Sequence, residues 1–179
     1  NMLKKEDDHP KPHPVVWEKQ LEDQHKYIPG YILGNIVHHT LSHGFFSEKS
    51  KEKLRGITRN FGIQEGLRDQ RLTTAIEKTE HMLTNFRKHP IYQEIQNAKK
   101  QVYEFPFSWS SPIGKIHGVI DLIYQDQNGD WHLVDWKTDT VTSTNKEYLR
   151  DEYQDQISIY YHAVSQIMKI DLKTHLIFL

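Results

Sequence analysis

Cysteine is absent from all 179 residues. That absence excludes disulfides, thiolate zinc sites and cysteine-held iron–sulfur clusters. Long apolar runs are missing as well. Nothing approaches the ~20 residues of a membrane span, and a mean hydropathy of -0.74 with 26% charged residues describes a soluble chain. No signal peptide is visible, so a cytoplasmic location is the default expectation, without a membrane partner. A phosphate-binding G-x-x-x-x-G-K-[ST] loop is lacking too, so the chain has no nucleotide-driven motor of its own. Length predicts one domain large enough for a real core.

The net charge of -1 conceals an asymmetry: residues 47–100 hold 12 Lys/Arg against 7 Asp/Glu, and the remainder holds 11 against 17. A basic middle suits a polyanion and an acidic remainder suits cations, although solvated helices often carry such a balance. Residues 1–14 are polar and Pro-punctuated, and read as a flexible lead-in or a linker. Val15-Val16-Trp17 follows as a short apolar anchor, and Asn1 before Met2 fits either a short protein that starts at Met2 or a domain excised from something longer.

Chemistry concentrates in GVIDLIYQDQNGDWHLVDWKTD, Gly118 to Asp139. Val119, Asp121 and Ile123 alternate with Ile120, Leu122 and Tyr124, Asn128-Gly129 offers a tight turn, and Trp131 to Lys137 returns, which predicts a β-hairpin. Asp135 and Lys137 are two positions apart and so share a face, roughly 6.5–7 Å apart along the strand. Two acids and a lysine can converge there. Charges inside an apolar strand are costly unless paired. Carboxylates that hold Mg²⁺ or Mn²⁺ beside an ammonium could neutralise a phosphodiester and activate water. The D-x-K spacing alone equally fits a solvated hairpin face.

Taken together, GVIDLIY and LVDWKTD resemble the core of the PD-(D/E)XK nucleases, in particular the RecB/AddA-like nuclease domains of bacterial recombination helicases. The resemblance covers most of the chain from about Leu33 to Tyr160 and implies an α/β, restriction-endonuclease-like core: a mixed central sheet flanked by helices, with an N-terminal helical part. Residues 15–179 then read as one nuclease domain, its helical part at 33–100 and its catalytic core at 101–179. Some relatives carry a four-cysteine iron–sulfur cluster, which this chain cannot build.

Three further segments extend the likeness. A helix from about Leu33 to Ser42, ended by Gly44, buries Leu33, Val37 and Leu41, with His38 at the border and His39 facing away. Gly34, one turn earlier, leaves the approach to His38 open. A lone histidine at such a border is usually structural, but Gly34-x-x-x-His38 resembles the family helix that supplies a histidine to the metal. His39 and His43 read as surface residues. Residues 47–100 look helical, with breaks at Gly56, Gly62 and Gly66, a helix from about Leu67 to Phe86, and another around Ile91–Asn97. That cap could carry Arg68, Arg71, Arg87 or Lys88 to a DNA backbone.

In QVYEFPFSWSS, Tyr103, Phe105, Phe107 and Trp109 predict an aromatic face opposite Glu104, and Pro106 predicts an edge strand or a bulge. Glu104 resembles the family's active-site glutamate, with a role in orienting a ligand or holding a second metal through water. A helix from about Glu147 to Met168 carries an apolar face of Leu149, Tyr153, Ile157, Tyr160, Val164 and Ile167. Within it Gln156-x-x-x-Tyr160 resembles the family's Q-x-x-x-Y motif. Residues 174–179 read as a last strand.

The resemblance implies metal-dependent hydrolysis of DNA phosphodiesters, exonucleolytic by preference, in a helicase-nuclease of double-strand-break repair and recombination. His38, Asp121, Asp135 and the carbonyl of Trp136 would bind Mg²⁺ or Mn²⁺. Lys137 would position or activate the attacking water, with Glu104, Gln156 and Tyr160 completing the catalytic set. The helicase would act in cis or in trans. A catalytically inactive binding or scaffolding module, and a stand-alone endonuclease for DNA or RNA, are the alternatives.

Overall fold

A computed structural model describes residues 26–44, 51–111 and 114–179. The lead-in and the Val15-Val16-Trp17 anchor lie outside the described residues. Helices come first: α1 (Gly30–Ser42), α2 (Lys51–Gln64), α3 (Asp69–Phe86) and α4 (Pro90–Gln96). Strands β1 (Lys100–Ser111), β2 (Gly114–Gln125) and β3 (Trp131–Lys137) follow, then α5 (Lys146–Met168) and β4 (Leu172–Phe178). Among the described residues no helix is long and apolar enough to cross a membrane.

Apolar spacing explains the helical layer. Leu33, Ile36, Val37, Thr40 and Leu41 are the buried residues of α1, the 3–4 recurrence of an amphipathic helix. The helix starts at Gly30, three residues before the expected Leu33, because the Pro29 carbonyl accepts from Ile32 N and Leu33 N. Thr40 and Thr58 are fully buried, and each hydroxyl donates to a carbonyl four residues back, Ile36 and Leu54, which removes the cost of burying it. Gly56 and Gly62 do not break the chain as the sequence suggested; both lie within α2. A Cβ on Gly62 would come within 2.5 Å of Leu72 Cδ1, so glycine lets α2 approach α3. Of the three, Gly66, at φ 81°, follows the end of α2.

The sheet is mixed, in the order β1-β2-β3-β4. β1 with β2 and β2 with β3 are antiparallel, and β3 with β4 is parallel across the α5 crossover. This agrees with the α/β core expected from the sequence. One face carries Leu122, Tyr124, Val134, Trp136 and Ile177 against the helical layer. The opposite face carries Ile120, Ile123, Leu133 and Leu172 against Ile157, Ala163 and Val164 of α5. On α5, Ile167 is 45% exposed rather than part of the apolar face, and Met168 packs instead.

Strict alternation fails at one place, and that place matters. Tyr103 packs with the helical layer, whereas Phe105, Phe107 and Trp109 pack with α5. Leu122 and Ile120 part in the same way on β2. Tyr103 pairs with Leu122 and Phe105 with Ile120, but Glu104 and Asp121 between them are unpaired, and Glu104 has φ 51°. Each strand thus spends one residue on a matched break that keeps register and swaps faces, the twisting effect of a bulge on both strands. The continuous aromatic face, and the shared face of Val119, Asp121 and Ile123, are corrected by this break.

The hairpin loop also differs from the expected two-residue turn. Residues 126–130 form it, because Asp126 Oδ1 accepts from both Asn128 N at 2.9 Å and Asp130 N at 2.8 Å. Gly129, at φ 96°, completes the bend. Beside the loop, His132 stacks on Tyr124 and on His175, with His132 Nδ1 and His175 Nε2 2.9 Å apart.

Burial, and then the adjacent His132, push the His175 imidazole down to about 4. Its unfolded value is near 6.5, so the unfolded chain binds more protons between those values and stability falls as pH drops through them. The urea midpoint of the wild type is expected to fall between pH 6.5 and 4.5 more steeply than that of His175→Gln. Parallel declines would contradict this.

Candidate active site

The face-swapping break sets Asp121 free of the β ladder. Its pairing with β3 ends at Leu122 opposite Val134, and beyond that point Asp121 Oδ2 accepts from Trp136 N at 2.7 Å. A carboxylate therefore replaces a main-chain carbonyl as the partner of a buried strand amide. The other oxygen, Oδ1, accepts from His38 Nδ1 at 2.9 Å. With the proton on Nδ1, the neutral ring presents a lone pair at Nε2. Burial disfavours the imidazolium of His38, but the hydrogen bond to Asp121 and the charges of Asp121 and Asp135 outweigh it, so its pKa is raised.

Asp135 and Lys137 point toward α5. Asp135 is only 3% exposed. Burial raises its pKa, Asp121 adds like-charge repulsion, and Lys137 and His38 oppose both. Lys137 Nζ lies 2.9 Å from Asp135 Oδ2, donates to Gln156 Oε1 at 2.7 Å, and stands 4.1 Å from the Tyr153 ring centroid. Gln156 Nε2 in turn donates to Tyr160 OH at 2.8 Å, and Phe107 packs edge-on against the Tyr160 ring. Two helical turns of α5 thus fix one ammonium.

A cleft of about 420 Å³ opens beside Asp121, lined among others by Gly34, His38, Glu104, Thr138 and Asp139. A Cβ on Gly34 would sit 3.3 Å from Thr138 Oγ1, so the absent side chain lets α1 come close to the end of β3. Of the residues proposed from sequence, His38, Glu104 and Asp121 border this cleft, while Asp135, Lys137, Gln156 and Tyr160 form a linked group on the α5 side. Trp136 contributes its N–H; its indole is buried against Phe86. The expected surface position of His39 and His43 holds, both packing on Phe61.

Sequence reasoning missed the part played by Tyr153 and Asp139. Periodicity places Tyr153 on the apolar face alone, yet its ring lies against the Lys137 ammonium and its hydroxyl donates to Asp139 Oδ2 at 2.9 Å. The signal was available: Tyr153, Gln156 and Tyr160 are spaced i, i+3, i+7 and share a helix face. Arg68, offered as a backbone contact, donates from Nη1 to the carbonyls of Ile63 and Leu67.

Among the described residues no three His, Asp or Glu side chains already stand together as a metal-holding group; His38 is bonded to Asp121, and Asp135 is paired with Lys137. The donor chemistry nevertheless fits a hard divalent cation. Asp135 Oδ2 is buried and, despite the nearby ammonium, has no well-directed hydrogen-bond donor, and the charge of Asp121 adds to the cost of ionising Asp135.

Removing the ammonium should reveal that cost. Lys137→Ala is expected to lower stability by about 3 kcal/mol by leaving a buried carboxylate unpaired. Lys137→Met combined with Asp135→Leu should lose less than the single change. Urea unfolding checks both; equal midpoints for Lys137→Ala and wild type would contradict the pairing.

Comparison with known proteins agrees with this geometry. The family model for the PD-(D/E)XK nuclease superfamily matches residues 18–175. An ATP-dependent helicase/nuclease subunit from Lysinibacillus sphaericus is 25% identical over 173 residues, covering 89% of this chain and 13% of the relative. The protein of the same name from Staphylococcus epidermidis is 28% identical over 167 residues, covering 82% and 13%, and that from Heliobacterium modesticaldum 29% identical over 118 residues, covering 56% and 8%. The chain therefore spans only about a tenth of the length of these relatives. With the matched family, the mixed sheet and the D-x-K strand in agreement, this chain belongs to the PD-(D/E)XK nuclease superfamily.

Proposed function

We propose that this domain hydrolyses DNA phosphodiester bonds with a divalent metal, Mg²⁺ or Mn²⁺, as the exonuclease part of a helicase-nuclease in double-strand-break repair and recombination. The observation that carries the proposal is Asp121, released from the β ladder between His38 and Trp136 N, on the strand next to Asp135 and Lys137. His38, Asp121, Asp135 and the carbonyl of Trp136 would hold the cation in place of the His38–Asp121 hydrogen bond, with Glu104 reaching a ligand or a second cation through water. A bound cation of this kind lowers the pKa of water and offsets phosphate charge.

The residues supply the rest. Lys137 has three N–H donors and one well-directed acceptor, Gln156 Oε1, so it retains a donor for the attacking water or a phosphate oxygen. Gln156, held by Tyr160, and the Tyr153 ring keep that ammonium from swinging into solvent. Asp135 holds Lys137 from the opposite side. Before a cation binds, Asp121 holds the His38 ring through Nδ1. The names of the relatives support a helicase joined to or partnered with this domain, acting in cis or in trans on the same DNA.

The closed pairs His38–Asp121 and Asp135–Lys137 favour a second reading, a nuclease fold kept as a DNA-binding module. A stand-alone endonuclease for DNA or RNA would share the same residues. Digestion of end-labelled linear, circular and single-stranded substrates separates these. Cleavage of linear DNA is expected with Mg²⁺ or Mn²⁺ and to stop on chelation. Asp121→Ala, Asp135→Ala and Lys137→Ala should each lower the rate by about a thousandfold, ~4 kcal/mol of barrier. Full activity in any of the three would remove that residue from the site.

A further inference from the structure

Tyr31 is 71% exposed, and it lines the same cleft as His38 and Asp121. Its position follows from α1: Tyr31, Gly34 and His38 are spaced i, i+3, i+7 and so form a stripe down one face of the helix. Gly34 leaves the middle of that stripe bare. Across the cleft, on β2, Val119 is 46% exposed and borders the same space. An aromatic ring and an isopropyl group left in water at the rim of an otherwise polar cleft are not part of the two cores.

Resting on the nuclease reading above, we propose that Tyr31 and Val119 form a base-stacking subsite that takes one unpaired base of a single-stranded nucleic acid. Seven residues of helix rise about 10.5 Å, so Tyr31 stands that far along the axis from His38. That is about three nucleotides at the stacked spacing of ~3.4 Å, and fewer in an extended strand. The subsite therefore lies a short step along the strand from the phosphate that faces Asp121. Every base has a π-face, so such a stack grips without reading sequence. A base paired within a duplex cannot turn into it, so the subsite selects unpaired ends.

The test is fluorescence of short single-stranded DNA carrying 2-aminopurine at successive positions, titrated with the full chain in Ca²⁺. Wild type is expected to quench the probe at one or two adjacent positions. Tyr31→Ala should abolish that quenching and weaken binding roughly 5- to 150-fold, the loss of one base–aromatic stack. Tyr31→Trp should restore both, and Tyr27→Ala, which removes a tyrosine that is 67% exposed but does not line the cleft, should behave as wild type. In cleavage assays the Tyr31→Ala defect should appear mainly in KM and only on single strands. Equal affinity and quenching in Tyr31→Ala and wild type would overturn the subsite, as would failure of wild type to bind the probe. Tyr31-dependent quenching without any Mg²⁺- or Mn²⁺-dependent cleavage would overturn the hydrolase reading and support the subsite.

Discussion

The site depends on one substitution of partners: a carboxylate takes the place of a main-chain carbonyl. Where β2 would continue its ladder along β3, Asp121 Oδ2 receives the Trp136 amide. A buried N–H left unmet would cost about 1–3 kcal/mol, so the strands can part only because Asp121 is there. The same side chain reaches α1 through His38. One residue thus closes a gap in the sheet and joins the helical layer to it. That is why structural and chemical demands on Asp121 cannot be separated.

The break that frees Asp121 has consequences on both sides. Because β1 and β2 each give up one residue, Glu104 and Asp121, register survives and the two cores stay filled. Phe107 and Ile120 are delivered to α5 while Tyr103 and Leu122 stay with the helical layer. On the α5 side, a buried ion pair would be a poor source of stability by itself. It is fixed by Gln156, Tyr153 and Tyr160, which spend helix positions on orientation that plain apolar packing would not supply.

Much of this was legible in the chain. The hairpin, α5 and the separation of helices from strands follow from periodicity, and the mixed sheet from the family resemblance. D-x-K, G-x-x-x-H and Q-x-x-x-Y marked residues that the fold brings into two linked groups. The face swap was not legible, since a matched break leaves the alternation of letters unchanged and shows itself only through Glu104 at φ 51°. Gly56 and Gly62 misled because glycine reads as a breaker, whereas both lie inside α2, where a Cβ on Gly62 would meet the Leu72 side chain. His132 and His175, 43 residues apart, meet only through the parallel β3–β4 pairing. Tyr153 was hidden by its double use, apolar enough to count as core and aromatic enough to sit against an ammonium.

The central claim is that Asp121, His38 and Asp135 are arranged for a cation rather than only for each other. Anomalous diffraction from crystals of this domain soaked in Mn²⁺ tests it most directly. The account predicts a single strong peak at ligand distance from a ring nitrogen of His38 and from carboxylate oxygens of Asp121 and Asp135, with the His38–Asp121 hydrogen bond replaced. Crystals that keep the His38–Asp121 bond and show no peak there would contradict it.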